Sequence, residues 1–151
     1  MIVGLQGNDS KYVRVHADAK HFSAFDGPGN GGDAWISDRD WFSTYMPPMR
    51  AAAAAKSASF MCSYAQLNGV YACNNHRALT EILRDTWGFD GFVVSDMGAL
   101  HGAVEGVTAG CDLEDGYVTR LAHALALLDR CTRSQLDYFT QSGIVHWSLH
   151  C

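Results

Sequence analysis

A short run of apolar residues, Phe92-Val93-Val94, constrains the fold of this chain more than any other stretch of the sequence. It has no polar residue in alternate positions, so it predicts a strand buried on both faces, as in a parallel sheet covered by helices. The run is entered through Gly91 and ends at Ser95 and Asp96. Because active sites of parallel α/β folds lie at the carboxyl ends of their strands, Asp96 is a candidate functional residue.

Helix capping is the second interpretation of Asp96. Asp is a favoured N-cap residue, and Gly98-Ala99-Leu100 could begin a helix directly after it. Its position in the chain, taken alone, supports capping and catalysis about equally.

Strand-like and helix-like segments alternate along the chain. Alternating apolar residues predict a strand over 12–19 that ends near Lys20-His21-Phe22, and further strands are expected at 58–64 and 110–113. Helices are expected after Ser37 or Asp38, after Asn74 or Asn75, and over about 99–108, with Asn68-Gly69 as a turn. This order predicts an α/β fold with parallel strands.

Chain length separates two versions of that fold. A complete (β/α)8 barrel needs roughly 250 residues, so a chain of this size can form only part of one. A small doubly wound sheet fits 151 residues better, but no strand is followed by the G-x-G-x-x-G fingerprint of a dinucleotide site. The glycine-rich stretch 26–33 is interpreted as a flexible active-site loop.

Composition excludes several classes of partner. The chain has 48% hydrophobic residues and a formal net charge of -5, which predicts a soluble globular domain without the basic excess of a nucleic-acid binder. No segment has the roughly 18 apolar residues of a membrane span, and the first residues lack the pattern of a signal peptide. We therefore expect neither nucleic acid nor a membrane as a partner.

The cysteines and acidic residues give no metal or redox signature. The five cysteines show no C-x-x-C spacing, so free structural thiols are favoured over a Cys62–Cys73 bridge. The acidic cluster of Asp112, Glu114 and Asp115 lacks the ligands of a calcium loop and is predicted to be a solvated turn. No metal and no cofactor are expected.

Five ordered motifs carry a resemblance to a known family. They are Lys20-His21-Phe22, Tyr45-Met46-Pro47-Pro48-Met49-Arg50, Met61-Cys62-Ser63-Tyr64, Asn68-Gly69-Val70 and the stretch from Trp87 to Asp96. In this order they resemble glycoside hydrolase family 3, which includes β-glucosidases and β-xylosidases. The resemblance implies that the chain is part of the family's N-terminal (β/α)8 domain, roughly the fourth to seventh βα units, with residues 1–116 as its central part.

The resemblance also implies roles for particular residues. Asp96 falls on the position of the catalytic nucleophile, and Lys20 and His21 fall on the pair that hydrogen-bonds sugar hydroxyls. Tyr64 falls on a tyrosine near the nucleophile, and Met97 occupies a substrate-binding position that is often tryptophan. A retaining glycosidase needs a carboxylate nucleophile about 5–5.5 Å from a protonated carboxyl group. Without the resemblance, Lys20 would be interpreted as an exposed strand-end charge and Tyr64 as a core aromatic.

The departures from the family pattern limit what the resemblance implies. The positions of the family's acid/base residue and of its upstream sugar-binding residues have no match in the chain. Similarity fades after Glu114, so residues 117–151 are expected to be a divergent helical tail, a remnant of the last βα units. These departures predict a fragment of a longer parent whose C-terminal domain is missing, and secretion is expected from the family.

The leading hypothesis is a retaining β-glycosidase acting on β-glucosides or β-xylosides, with Asp96 as nucleophile and a β-linked glycoside or oligosaccharide as partner. One alternative is a non-catalytic or degenerate sugar-binding module. Another is an unrelated barrel enzyme, such as an aldolase or a phosphate-binding synthase, with Lys20 as its reactive amine.

Overall fold

The computed structural model describes residues 1–9, 12–27, 32–116 and 145–146. Its strands are β1 (Asp18–Phe22), β2 (Asp33–Ala34), β3 (Ser59–Cys62), β4 (Gln66–Leu67), β5 (Val70–Tyr71), β6 (Phe92–Ser95), β7 (Leu113–Glu114) and β8 (Val145–His146). Its helices are α1 (Ile2–Gln6), α2 (Asp38–Asp40), a π-helical segment (Trp41–Tyr45), α3 (Met46–Ala54), a 3-10 turn (Ala72–Asn74), a π-helix (Arg77–Thr86) and α4 (Ala103–Ala109).

The main sheet has its strands in the order β1-β3-β6-β7-β8. Neighbouring strands from β1 to β7 are parallel, and β8 pairs with β7 in the antiparallel direction. Helical segments separate β1 from β3, β3 from β6, and β6 from β7. Each parallel strand lies beside the next one in the chain without a reversal of order, which is the winding of a barrel rather than of a doubly wound sheet. The predicted α/β fold with parallel strands is confirmed.

The core lies between this sheet and its helices. Phe22, Phe60 and Val93 come from adjacent strands and are fully buried, and Leu79 and Leu83 of the π-helix Arg77–Thr86 are equally buried. Strand β6 has Val93 at 0% and Val94 at 8% exposure on its two faces, so the strand is buried on both faces as predicted, with Phe92 partly buried. Burial of these residues fixes the C-terminal end of the strand, and Asp96 follows that end directly.

A second, small sheet follows β3 directly. Strands β4 and β5 form an antiparallel hairpin, and β2 adds to β4 in parallel. The hairpin turns at Asn68 and Gly69, whose φ angles of 51° and 82° are both left-handed, as this two-residue turn requires. The predicted turn is confirmed.

Several predicted boundaries shift. Strand β1 begins at Asp18, so the alternating residues 12–17 are not a strand. Ser37 caps α2, since its hydroxyl accepts the Asp40 N–H at 3.1 Å, and Pro47 and Pro48 lie at the start of α3, where the helix restarts. Asn75 caps the π-helix, with its side-chain oxygen accepting the Ala78 N–H at 3.0 Å.

The expectation of free cysteines at 62 and 73 is wrong, because Cys62 and Cys73 form a disulfide across a sequence separation of 11. The β4–β5 hairpin brings residue 73 back to the end of β3, which the spacing in the chain did not indicate. Cys111 is free and buried. Cys131 and Cys151 lie outside the described residues.

Most of the expected tail, 117–151, also lies outside the described residues, so its domain assignment stays a prediction. Within the described part of the chain, no helix is long and apolar enough to cross a membrane.

Candidate functional site

Asp96 lies directly after β6, at the carboxyl edge of the main sheet. Its N–H donates to the carbonyl oxygen of Cys62 at 3.1 Å, which continues the ladder between β3 and β6 by one residue. Its side chain does not cap a helix, because Oδ1 accepts the N–H of the next residue, Met97, at 2.8 Å and α4 begins only at Ala103. The capping interpretation of Asp96 is therefore wrong.

His21 supplies the second contact of the Asp96 carboxylate. The imidazole Nε2 lies 3.1 Å from Asp96 Oδ2, and the two side chains are 25% and 19% exposed. His21 belongs to β1, where the pairing with β3 has an irregularity between Lys20 and Phe22. Such an irregularity re-aims a side chain, and here it lies at the residue that reaches Asp96.

Tyr64 contacts Met97, the residue that follows Asp96. The Tyr64 hydroxyl donates to the carbonyl oxygen of Met97 at 2.8 Å, so it holds the residue that follows Asp96. Tyr64 is 41% exposed, so the alternative interpretation as a core aromatic is wrong, and Met97 is 61% exposed. Both side chains are accessible from the solvent at this edge.

Lys20 is an exposed residue in the middle of β1. Within the described part of the chain no salt bridge joins Lys20 to Asp96, whereas His21 makes such a contact. The charge of Lys20 acts on Asp18, whose pKa is raised by burial of its carboxyl group and lowered in part by a hydrogen bond from Ser59 and by the charges of Lys20 and His21.

A retaining site needs a second carboxyl group close to the nucleophile. Three described acids, Asp18, Glu81 and Glu105, give no evident source for it. Asp18 is opposite Ser59 in the sheet, and Ser59 is opposite Phe92. Phe92 precedes Asp96 by four residues, so Asp18 and Asp96 lie about 13 Å apart along the strand direction. Glu81 pairs with His76 at 3.4 Å beside the π-helix, and Glu105 lies on α4.

Sequence reasoning missed two residues. The Phe25 ring lies between His21 and Tyr64, with ring centroids 5.0 and 6.5 Å away. Asn74, considered only as a helix cap, binds the main chain of His101 and Gly102 in the loop after Asp96. The position of Asn74 directly after Cys73 carries no signal of this contact, because the contact depends on the disulfide and the hairpin.

The arrangement holds a carboxylate in one orientation and leaves it partly open to solvent. Each oxygen of Asp96 has a directed partner, and neutral or protonated imidazole can donate from Nε2. A fixed, accessible carboxylate suits a nucleophile in covalent catalysis, and its aromatic and cationic surroundings suit a polar ring-shaped substrate.

The comparisons with known proteins agree on one family. Residues 1–127 match the family model described as "Glycosyl hydrolase family 3 N terminal domain". The chain is 37% identical over 117 residues to the probable beta-glucosidase G of Neosartorya fischeri, covering 73% of this chain and 14% of that protein. It is also 37% identical over 139 residues to the xylan 1,4-beta-xylosidase of Xylanibacter ruminicola, covering 78% of this chain and 16% of that protein.

A solved structure agrees with these relatives. Beta-glucosidase 3B of Thermotoga neapolitana, determined in complex with alpha-D-glucose, superimposes with a TM-score of 0.62 at 37% identity, covering 66% of this chain and 14% of that one. The chain thus spans about a seventh of the length of the proteins it matches. The matches favour the family resemblance over an unrelated aldolase or synthase.

Proposed function

Because the chain belongs to glycosyl hydrolase family 3, we propose that it carries the nucleophile half of a retaining β-glycosidase site, with β-glucosides or β-xylosides as substrates. Asp96 is the nucleophile in this proposal. The observation that carries it is the 3.1 Å contact between His21 and Asp96, because it gathers two side chains of the proposed site at one sheet edge.

The proposed reaction has two steps. An Asp96 oxygen attacks the anomeric carbon, the glycosidic C–O bond breaks, and the leaving oxygen takes a proton from an acid as it departs. Water then attacks the glycosyl ester, which releases the sugar and restores the carboxylate. Lys20 and His21 bind sugar hydroxyls, Tyr64 holds Met97, and Met97 lines the site.

We assign the acid/base role to none of the described carboxylates. In this proposal the chain supplies the nucleophile, and the proton donor comes from another segment of polypeptide. Substrates whose leaving group departs without a proton should therefore react with the chain, whereas ordinary alkyl glycosides should react poorly.

The test uses such substrates. Incubation with 2,4-dinitrophenyl 2-deoxy-2-fluoro-β-glucoside, and with the matching xyloside, should attach the fluorosugar to the peptide that contains Asp96, as mapped by mass spectrometry. Asp96→Asn should abolish the label. Asp90→Asn, which changes an exposed carboxylate at the other end of β6, is the matched control and should be labelled normally. A label that persists in Asp96→Asn would exclude Asp96 as the nucleophile.

The sugar-binding alternative predicts another outcome in the same samples. A non-catalytic module would bind glucose or xylose, lose binding in Lys20→Ala, and form no covalent adduct with either fluorosugar. Titration calorimetry with each sugar beside the labelling assay distinguishes the two functions.

A further inference from the structure

The side chain of Asn74 binds main-chain atoms of the loop that follows Asp96. Its Nδ2 donates to the carbonyl oxygens of His101 and Gly102, at 2.6 and 3.0 Å, and its Oδ1 accepts the His101 N–H at 3.0 Å. The amide therefore uses its donors and its acceptor on two consecutive residues, much as a neighbouring strand would. Contacts of this kind fix the path of a backbone and do not depend on the side chains in the loop.

The anchor of Asn74 is the same strand end that holds Asp96. Asn74 follows Cys73, which is joined by the disulfide to Cys62, the last residue of β3. The carbonyl oxygen of Cys62 accepts the N–H of Asp96 at 3.1 Å. Both ends of the loop, residues 96 and 101–102, are thus tied to the end of β3.

The loop between these anchors contains a hydrogen-bond donor that orients the carboxylate. The N–H of Met97 donates to Asp96 Oδ1 at 2.8 Å, so a shift of the loop would move a donor of the carboxylate directly. Gly102 has a φ of 92°, a left-handed conformation in which the chain leaves the loop and enters α4. Without Asn74, the far end of the loop would lose three hydrogen bonds.

We propose that Asn74 is a positioning residue for Asp96: its side-chain amide fixes residues 101 and 102 and thereby the loop that orients the carboxylate. This inference rests on the proposed function, because it gives Asn74 a role in the reaction of Asp96 and not only in the fold.

Asn74→Asp tests the inference with a minimal change of shape. The new carboxylate would place an oxygen against the carbonyl oxygens of His101 and Gly102, where Nδ2 now donates, so attraction becomes repulsion. Asn68→Asp is the matched control. Asn68 makes the same kind of contact elsewhere, accepting the Ile36 N–H at 2.9 Å and donating to the Ile36 carbonyl at 3.1 Å.

The first measurement is the kinetics of labelling by the 2,4-dinitrophenyl fluoroglucoside. We expect Asn74→Asp to lower the maximal rate constant of labelling by about 10- to 100-fold, as expected for a misplaced reacting group. The reagent concentration at half-maximal rate should stay within about twofold, because the sugar-binding side chains of β1 are untouched. An unchanged maximal rate, or an equal loss in Asn68→Asp, would overturn the inference.

The second measurement does not depend on the function. The ring-nitrogen resonances of His21 in NMR spectra report its contact with Asp96, so Asn74→Asp should shift them and Asn68→Asp should not. If the parent chain takes no label, the proposed function fails, and these spectra still decide whether Asn74 orients Asp96. Unchanged His21 resonances in Asn74→Asp would refute the positioning role, and unfolding would show as a general collapse of the spectrum. In that case Asn74→Ser, which keeps one donor, replaces the aspartate variant in both measurements with the same criteria.

Discussion

His21 Nε2 lies 3.1 Å from Asp96 Oδ2, although the strands that lead to these residues are not neighbours. Strand β3 runs between them, so the backbones on either side are separated by about 9.5 Å, two strand spacings. The two side chains therefore converge above the end of β3. The pairing irregularity in β1 falls at His21, and irregularities of this kind re-aim a side chain.

Replacing His21 by alanine should slow labelling of Asp96 by about 10- to 100-fold, because Asp96 Oδ2 loses the partner that orients it and a misplaced reacting group costs a rate factor of about this size. The measurement is the rate of adduct formation with the dinitrophenyl fluoroglucoside. His76→Ala is the control, because it removes a histidine paired with Glu81 at 3.4 Å outside the site. Equal rates in the His21 variant and the parent would show that the contact has no part in the reaction.

Removing the disulfide should lower the stability of the fold. Cys73→Ser opens a loop with a sequence separation of 11, and chain entropy predicts a loss of about 3 kcal/mol in the free energy of unfolding. Urea unfolding followed by circular dichroism measures the change. Adding a reductant should destabilise the parent chain and leave the Cys73→Ser variant unaffected. If the reductant has no effect on the parent, this bridge does not stabilise the fold.

The thiol of Cys111 should be inert in the folded chain. Burial raises its pKa to about 12, and the charges of Asp112 and Glu114 act in the same direction. At pH 8 only about one thiol in ten thousand would then be ionised, and the thiolate is the reactive form. Alkylation by iodoacetamide, mapped by mass spectrometry, should modify Cys111 in urea but not in buffer. Rapid alkylation in buffer would contradict the burial of this residue.

The Asp18→Asn variant should become more stable relative to the parent chain as the pH rises. Burial raises the pKa of Asp18 above its ordinary value of 3.8, so between these two values the folded chain binds more protons than the unfolded one. The free energy of unfolding of the parent therefore falls as the pH rises through this window. Asn cannot ionise, so the variant should lack this loss. Its free energy of unfolding relative to that of the parent should therefore increase from pH 3 to pH 7.

Urea unfolding at a series of pH values measures the Asp18 effect. Asp90→Asn, which changes an exposed acid, is the control and should follow the parent across the range. A parallel pH dependence of the parent and Asp18→Asn would show that the pKa of Asp18 is not raised.

Local patterns predicted the elements that depend on local forces. Phe92, Val93 and Val94 form a strand because no polar side chain interrupts them, and Ser37 caps α2 because its hydroxyl reaches an N–H three residues ahead. The left-handed turn at Asn68 and Gly69 was equally visible, since few other residue pairs tolerate that conformation.

Predictions failed where distant residues decide the outcome. Residues 12–17 alternate like a strand, but β1 pairs with β3 only from Asp18 onward, opposite Ser59. The expected helix over 99–108 begins only at Ala103, after Gly102 with its non-helical φ of 92°, and Asn74 binds residues 101 and 102 in the preceding loop.

The sequence by itself determined that a carboxylate, Asp96, follows a buried strand in a parallel α/β fold, because apolar runs and turn residues act over a few positions. Only the tertiary structure decided which groups contact that carboxylate and the loop after it. His21 reaches Asp96 through strand register, and Asn74, next to the disulfide between Cys62 and Cys73, reaches residues 101 and 102. Those contacts depend on residues far apart in the chain, and no local pattern records them.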